Sequence, residues 1–266
     1  MKAKVNLAAL FILVFVLLAN SACAMPFLAK ATSTPTPTST PTDTPTPTST
    51  PLPTATETST PKPTATATPN AVATREAKLD QQAREIMVEV DLSTDSGKLG
   101  WYQKKPFVLD LKGPGGVASQ ISDLSTINDF VFYTEMTWYT DSWPTCGLMV
   151  RSDNRWLKGN SYFVQFLRFS GLPAWDIEYY KNGYFLANIT QKVRFSSYLE
   201  LESGGKNKII LAANGNEFKL WINDNYEGRY FDDSTESSEG MLGFYAGQDA
   251  GKTTCSFLNS WVWAYK

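Results

Sequence analysis

Histidine is absent from all 266 residues of the chain. The sequence therefore cannot supply the imidazole base of a Ser-His-Asp or Cys-His nucleophilic site, and it cannot form a zinc site with histidine ligands. Aspartate and glutamate remain as the plausible acid–base catalysts. This single absence removes several classes of enzyme.

A strong charge is also lacking. The formal net charge is −2, with 24 basic and 26 acidic residues, and no basic cluster stands out. Proteins that bind nucleic acid carry a concentrated positive patch, so we expect no nucleic-acid partner. The sequence also has no glycine-rich loop of the kind that holds phosphate groups after a strand.

The long apolar run of the chain covers residues 7–19 and follows Lys2 and Lys4. This run is shorter than the ~20 residues that a membrane-spanning helix needs, so it predicts a secretory signal peptide over residues 1–24. The small residues before Cys23 resemble a bacterial lipobox, in which the acylated Cys23 would anchor the protein to a membrane. Asn20 replaces the usual aliphatic residue, and cleavage after the small residues Ala22-Cys23-Ala24 is the alternative.

A linker rich in threonine and proline is predicted over residues 25–69. Such a segment has little apolar surface to offset its ordering entropy, and its prolines favour extended polyproline II conformations. We expect a disordered stalk that holds the following domain away from a membrane or cell wall. A tether with no required length is the alternative.

One short amphipathic helix is predicted over residues 70–90. Val72, Leu79, Ala83 and Ile86 recur at helical spacing, and Asn70 is a suitable N-cap residue. We expect the helix to dock on the following domain through Leu79 and Ile86, because its apolar stripe is too short for a coiled coil.

Residues 98–266 have the pattern of an all-β domain. In the segment 207–247, Phe218, Leu220 and Ile222 alternate with Lys219 and Trp221, and asparagine-rich turns separate the strands. Further strands are expected at 99–102, 107–111, 117–121, 128–140, 146–152, 162–169, 174–181, 184–189, 198–202 and 257–265. Strands at this spacing without a second helical region predict an antiparallel two-sheet sandwich.

The order of these elements resembles a known family. A basic strand, an Asn-Gly turn, a strand ending in Ile222-Asn223, a short hairpin, an acidic loop and Gly240-Met241-Leu242-Gly243-Phe244 resemble the C-terminal half of the concanavalin A-like lectin/glucanase jelly roll. More narrowly, residues 99–265 are similar to laminin-G-like and 3-keto-disaccharide-hydrolase-like domains of exported bacterial proteins. The resemblance implies a jelly-roll sandwich that binds or hydrolyses carbohydrate. The alternating Glu, Asp, Glu motif of glycosidases of this fold is not found.

Three cysteines occur in the chain. Cys23 is either acylated or removed with the signal peptide, so Cys146 and Cys255 remain in the mature domain. An even pair in an oxidising compartment predicts a disulfide between them. No cofactor is expected, because the loop oxygens that could bind calcium, such as those of Asp153 and Asp249, have no recognisable ligand spacing.

The candidate ligand-binding residues are Arg168, Asp176, Glu178, Tyr180 and Trp221. Asp176, Glu178 and Tyr180 share one face of a strand, and Arg168 would lie opposite Asp176 if the preceding turn is centred on Leu172. The two carboxylates could be a catalytic acid–base pair, one wall of a groove that binds sugar hydroxyls, or an exposed face with a salt bridge. All eight tryptophans follow residue 100, and Trp221 could stack on a pyranose ring or fill the core.

The sequence thus predicts an exported protein, lipid-anchored through Cys23 or secreted, that displays one non-catalytic carbohydrate-binding module on a stalk. We expect a monomer with a polysaccharide partner. A glycoside or 3-keto-glycoside hydrolase is the first alternative, and a structural or adhesion module is the second.

Overall fold

The computed structural model of the protein describes residues 71–140, 143–233 and 238–265. The predicted signal peptide, Cys23 and the Thr/Pro-rich stalk lie outside these residues. The described part contains helix α1 (Ala71–Glu89), a single turn of 3-10 helix at Trp156–Lys158, and fourteen strands. Among the residues described, no helix has both the length and the apolar character needed to cross a membrane.

The strands follow one another along the chain at short intervals. They are β1 (Lys98–Tyr102), β2 (Phe107–Lys112), β3 (Gly115–Gln120), β4 (Phe130–Thr140), β5 (Pro144–Ser152), β6 (Ser161–Phe169), β7 (Leu172–Lys181), β8 (Tyr184–Asn188), β9 (Arg194–Phe195), β10 (Lys206–Asn214), β11 (Glu217–Ile222), β12 (Asn225–Phe231), β13 (Met241–Gln248) and β14 (Lys252–Ala264).

These strands form two antiparallel sheets. The first sheet has the order β1-β14-β4-β10-β11-β12, with β2 also paired to β14. The second sheet has the order β3-β13-β5-β6-β7-β8, with β9 also paired to β7. The predicted all-β, two-sheet jelly-roll sandwich with one preceding helix is therefore confirmed.

The core lies between the two sheets and follows the alternation of the strands. On β4, Phe130, Phe132 and Trp138 point into this core. On β7, Trp175 and Tyr179 do the same from the second sheet. Because each strand turns every second side chain toward the other sheet, the apolar residues of both sheets meet in one layer.

A disulfide links the two sheets across this core, as predicted. Cys146 lies on β5 of the second sheet, and Cys255 lies on β14 of the first sheet. Their Cα atoms are 5.7 Å apart, and both side chains are fully buried. The bond closes a loop between residues 109 positions apart in sequence.

Helix α1 covers the outer face of the first sheet. Its Ala83 and Met87 are fully buried against a second apolar cluster that includes Trp221, Trp261 and Trp263. The expected docking through Leu79 and Ile86 is only partly right, because both side chains stay half-buried at the edge of the contact.

The strand expected at 198–202 is absent, although its residues alternate in polarity. The side-chain amide of Asn207 takes the place of a neighbouring strand there. Its Oδ1 accepts from the Glu200 amide at 2.8 Å, and its Nδ2 donates to the Glu200 carbonyl at 3.1 Å. A side chain thus satisfies backbone groups that the alternation pattern alone would assign to a sheet.

We expect the double substitution Cys146→Ala with Cys255→Ala to lower the free energy of unfolding by about 2–5 kcal/mol, because the disulfide restricts the unfolded chain. Urea denaturation measured with and without reductant checks this. Reductant should destabilise the wild type and leave the double variant unchanged. Equal stability of the oxidised wild type and the double variant would contradict the prediction.

Candidate functional site

The outer face of the second sheet differs from that of the first, because α1 does not cover it. The turn of 3-10 helix lies against β3, and Gly159 beside it accepts a hydrogen bond from the Gly183 amide at 2.8 Å. This loop borders one end of the face. In the described ranges, α1 and this turn are the only helical segments, and α1 packs on the first sheet.

Strand register places the outer-face residues in three rows that cross the sheet. The first row contains Gly116, Gly247, Thr145, Leu167 and Ala174. The second row contains Ala118, Tyr245, Gly147, Gln165 and Asp176. The third row contains Gln120, Gly243, Met149, Phe163 and Glu178. The first row carries small side chains at the β3 and β13 side, and the acidic side chains lie at the β7 side.

Glycines on this face leave room for the side chain of Tyr245. A Cβ added at Gly116 would lie 3.1 Å from Cε2 of the Tyr245 ring, and one added at Gly247 would overlap the Tyr245 hydroxyl. The ring therefore leans over two glycines, and a larger residue at either position would require the ring to move. This arrangement holds a half-buried tyrosine ring close against the sheet.

A groove of about 620 Å³ lies beside this ring, and we call it the outer-face groove. Trp143 stands at its rim with 49% of its side chain exposed. Phe169 and Thr145 also line it, and Asp249 supplies a carboxylate at the same end. The groove therefore combines exposed aromatic rings with polar groups, which suits a ligand that has both apolar and hydrogen-bonding surfaces.

Aromatic rings connect the groove to the β7–β8 edge of the sheet. Phe163 makes edge contacts with Tyr245 at 4.8 Å and with Tyr180 at 5.1 Å between ring centroids. Tyr180 in turn contacts Phe185 at 5.9 Å. These contacts restrict the rotamers of Tyr245 and Tyr180, so both rings are held in place before any ligand binds.

Glu178 is held on this face by two hydrogen-bond donors. Gln165 Nε2 donates to Glu178 Oε2 at 2.6 Å, and the Tyr180 hydroxyl donates to the same oxygen at 3.0 Å. These two donors hold the carboxylate in one orientation on the face. Burial raises the pKa of Tyr180, and the Glu178 charge raises it further, so the hydroxyl keeps the proton that it donates.

Asp176 lies two residues before Glu178 on the same face and is 3% exposed. Its Oδ2 accepts from Asn188 Nδ2 at 3.2 Å, whereas its Oδ1 has no hydrogen-bond partner in the described residues. Burial and, to a smaller extent, the Glu178 charge raise the pKa of Asp176 to about 7, although the Asn188 hydrogen bond opposes this shift. The two carboxylates, which we call the acidic pair, therefore differ in environment.

The predicted position of Arg168 opposite Asp176 is wrong. The β6–β7 turn pairs Phe169 with Leu172, so Gln165 lies opposite Asp176 and Arg168 lies opposite Pro173. Arg168 instead donates from Nη2 to the Leu201 carbonyl at 3.0 Å. The positive charge expected beside Asp176 is replaced by a neutral amide.

The structure does not bring Trp221 to the acidic pair. Trp221 lies on β11 of the first sheet, 6% exposed, in the apolar cluster beneath α1. It contacts Tyr226 at 5.1 Å between ring centroids. Of the five predicted site residues, Asp176, Glu178 and Tyr180 thus share one surface, and Arg168 lines the outer-face groove. Their role in binding stays a prediction.

Sequence reasoning did not assign Tyr245, Phe169, Gln165 or Asn188 to the site. One signal was present for Tyr245, because Gly243 and Gly247 flank it at strand spacing and so share its face. Gln165 and Asn188 meet the acidic pair only through the pairing of β6 and β8 with β7.

In the described part of the chain, no group of three or more His, Cys, Asp or Glu residues could hold a metal ion. Two loop carboxylates have partners within the protein instead. Asp153 accepts from the Arg155 side chain at 2.8 Å and from the Asn160 amide at 3.0 Å. Asp232 is buried and accepts a hydrogen bond from the Tyr162 hydroxyl.

The raised pKa of Asp176 predicts a pH-dependent stability difference. A carboxyl group whose pKa is higher in the folded state makes a favourable contribution to the free energy of unfolding. This contribution is complete below about pH 4 and is lost as the pH rises toward about 7. Asp176→Asn has no carboxyl group to ionise at this position and should avoid the loss. The free energy of unfolding of the variant minus that of the wild type should therefore rise by about 2 kcal/mol over that pH range.

Urea denaturation at about pH 4.5 and pH 8 measures this difference. The variant Glu202→Gln, which changes an exposed carboxylate elsewhere, is the control and should show no such trend. A stability difference between Asp176→Asn and wild type that does not change with pH would contradict the prediction.

No protein-family model and no curated protein matches the chain. Solved structures similar to it include the carbohydrate-binding module CBM66 from Bacillus subtilis, with 19% identity, 62% of this chain and 92% of that chain covered, and a TM-score of 0.46. A Bacillus subtilis protein of unknown function with a galectin-like fold has 10% identity, coverage of 64% and 88%, and a TM-score of 0.45. A Bacillus licheniformis β-glucanase has 9% identity, coverage of 62% and 82%, and a TM-score of 0.43. At these identities and TM-scores the similarities carry no conclusion about what this chain does, and the assignment of its fold depends on its own two sheets.

Proposed function

We propose that the protein is a non-catalytic carbohydrate-binding module that binds a polysaccharide on the outer face of the second sheet. The observation that carries this proposal is the outer-face groove, in which Trp143, Phe169 and Tyr245 line an open channel on a face that α1 leaves uncovered. Pyranose rings have apolar faces and polar edges, so they suit aromatic rings framed by hydrogen-bonding groups.

The rigidity of the site supports binding without a conformational change. Tyr245 is packed against Phe163 and the adjacent glycines, and Glu178 is held by Gln165 and Tyr180. Groups that are already ordered lose little entropy when a ligand binds.

Hydrolysis of a glycoside is the second candidate function, and one observation favours it. Asp176 and Glu178 lie side by side on one face, and burial raises the pKa of Asp176 to about 7, as a general acid requires. Two observations weigh against it, since Asp176 is almost fully buried and neither carboxylate lies among the residues that line the groove. Binding alone therefore fits the geometry better.

The disulfide between Cys146 and Cys255 supports a location outside the cytoplasm, because such bonds persist in oxidising compartments. The proposal also includes an acylated Cys23 that anchors the protein to a membrane. The Thr/Pro-rich segment would then display the sandwich domain. We infer that the protein presents its sandwich domain as a monomer at the outer surface of a cell membrane.

We expect Trp143→Ala and Tyr245→Ala each to weaken polysaccharide binding about three- to tenfold, because each removes a ring that a sugar can stack on. Affinity electrophoresis of the full chain against plant, fungal and bacterial polysaccharides measures this. Tyr139→Ala, which removes a 56% exposed ring from the first sheet, is the matched control and should bind as the wild type does. Retained affinity in both groove variants would contradict the placement of the site.

The same polysaccharides test the hydrolase alternative through the release of reducing sugar. We expect no release by the wild-type protein. If release occurs and the double substitution Asp176→Asn with Glu178→Gln abolishes it while binding persists, the protein is a hydrolase and the non-catalytic proposal is wrong.

A further inference from the structure

The acidic pair has no positively charged partner. Within the described ranges neither Asp176 nor Glu178 forms a salt bridge. The groups that face the pair are neutral on every neighbouring strand. They are Tyr180 on β7 itself, Gln165 and Phe163 on β6, Asn188 on β8 and Tyr245 on β13.

Two carboxylates without a countercharge compete for ionisation. Successive residues on one face of a strand are about 6.6 Å apart, so the negative charge of Glu178 acts directly on Asp176. The two donors Gln165 and Tyr180 both bind Glu178, whereas Asp176 receives one hydrogen bond and keeps an unpartnered Oδ1 although it is nine-tenths buried. A buried polar oxygen without a partner in the protein is uncommon in folded proteins and needs a physical explanation.

A cation at Glu178 would supply the positive charge that the acidic pair lacks. It would pair with the half-buried Glu178 directly, and its charge would also allow Asp176 to ionise. In the described residues no third His, Cys, Asp or Glu side chain joins the pair to form a metal site, so a divalent ion would have to complete its shell from neutral oxygens. A hydroxyl group of a neutral sugar carries no charge and would leave the acidic pair without a countercharge.

We propose that the acidic pair selects glycans that carry free amino groups, such as polymers of glucosamine, over their N-acetylated or neutral counterparts. This inference rests on the proposed carbohydrate site. A sugar ring in the outer-face groove and a protonated amine at Glu178 would use the two ends of the same face, which Phe163 connects. The protonated amine supplies both the positive charge and the hydrogen-bond donors that the pair lacks.

Glucosamine tetrasaccharide and N-acetylglucosamine tetrasaccharide test this, because they share stereochemistry and differ in acetylation. Isothermal titration calorimetry on the full chain at about pH 6, where simple amines are largely protonated, should show about tenfold tighter binding of the free amine. Glu178→Gln should remove most of that preference, measured as the ratio of the two dissociation constants in the same variant. Glu202→Gln should retain the preference.

Proton release gives a second readout that a merely structural role of the pair would not produce. At about pH 6, Asp176 is mostly protonated, so binding of the amine should release close to one proton. Titrations in two buffers of different ionisation enthalpy measure this number. The N-acetylated ligand should release none, and added salt should weaken the binding of the amine alone.

Equal affinity for the two tetrasaccharides, or a preference that survives in Glu178→Gln, would overturn this inference. Binding of a neutral polysaccharide with no preference for the amine would overturn it as well, while the proposed function would stand. Failure of every glycan to bind would overturn both.

Discussion

Burial of apolar side chains between the two sheets is the interaction on which the rest of this structure depends. Phe132 and Trp138 from one sheet meet Trp175 and Tyr179 from the other, and Cys146–Cys255 joins the sheets covalently through the same layer. Because side chains alternate along each strand, filling this layer also determines which residues face outward. The polar and aromatic groups of the second sheet are placed by the packing behind them.

The two outer faces of the sandwich are used differently. Helix α1 covers the first sheet, where the indoles of Trp221, Trp261 and Trp263 provide apolar surface for Ala83 and Met87. The second sheet carries glycine and alanine in its first row and a groove rather than a helix above them. Buried indoles therefore mark the covered face of the protein, and the small residues beside Tyr245 mark the groove on the other face.

The outer face of the second sheet combines two kinds of chemistry within a few strands. Stacking surfaces lie at one side, around Tyr245, and the acidic pair lies at the other. Neutral amides from Gln165 and Asn188, rather than arginine or lysine, surround the carboxylates. The acidic pair thus has no countercharge among the groups that contact it, and the positive charge of Arg168 lies at the groove instead.

Alternation and turn residues were sufficient to predict the sandwich, because period-two patterning and Asn-Gly turns act locally. The shared face of Asp176, Glu178 and Tyr180 follows from the same alternation, and the pairing of Cys146 with Cys255 followed from their number. The partners across the strands could not be predicted, since a shift of the β6–β7 turn exchanges Arg168 for Gln165 beside Asp176. The sequence by itself therefore determined most of the strands, their faces and the class of fold, but not the absence of a strand at 198–202. Only the tertiary structure decided which face α1 covers, that Trp221 is buried and that Tyr245 borders a groove, because these depend on contacts between residues far apart in the chain.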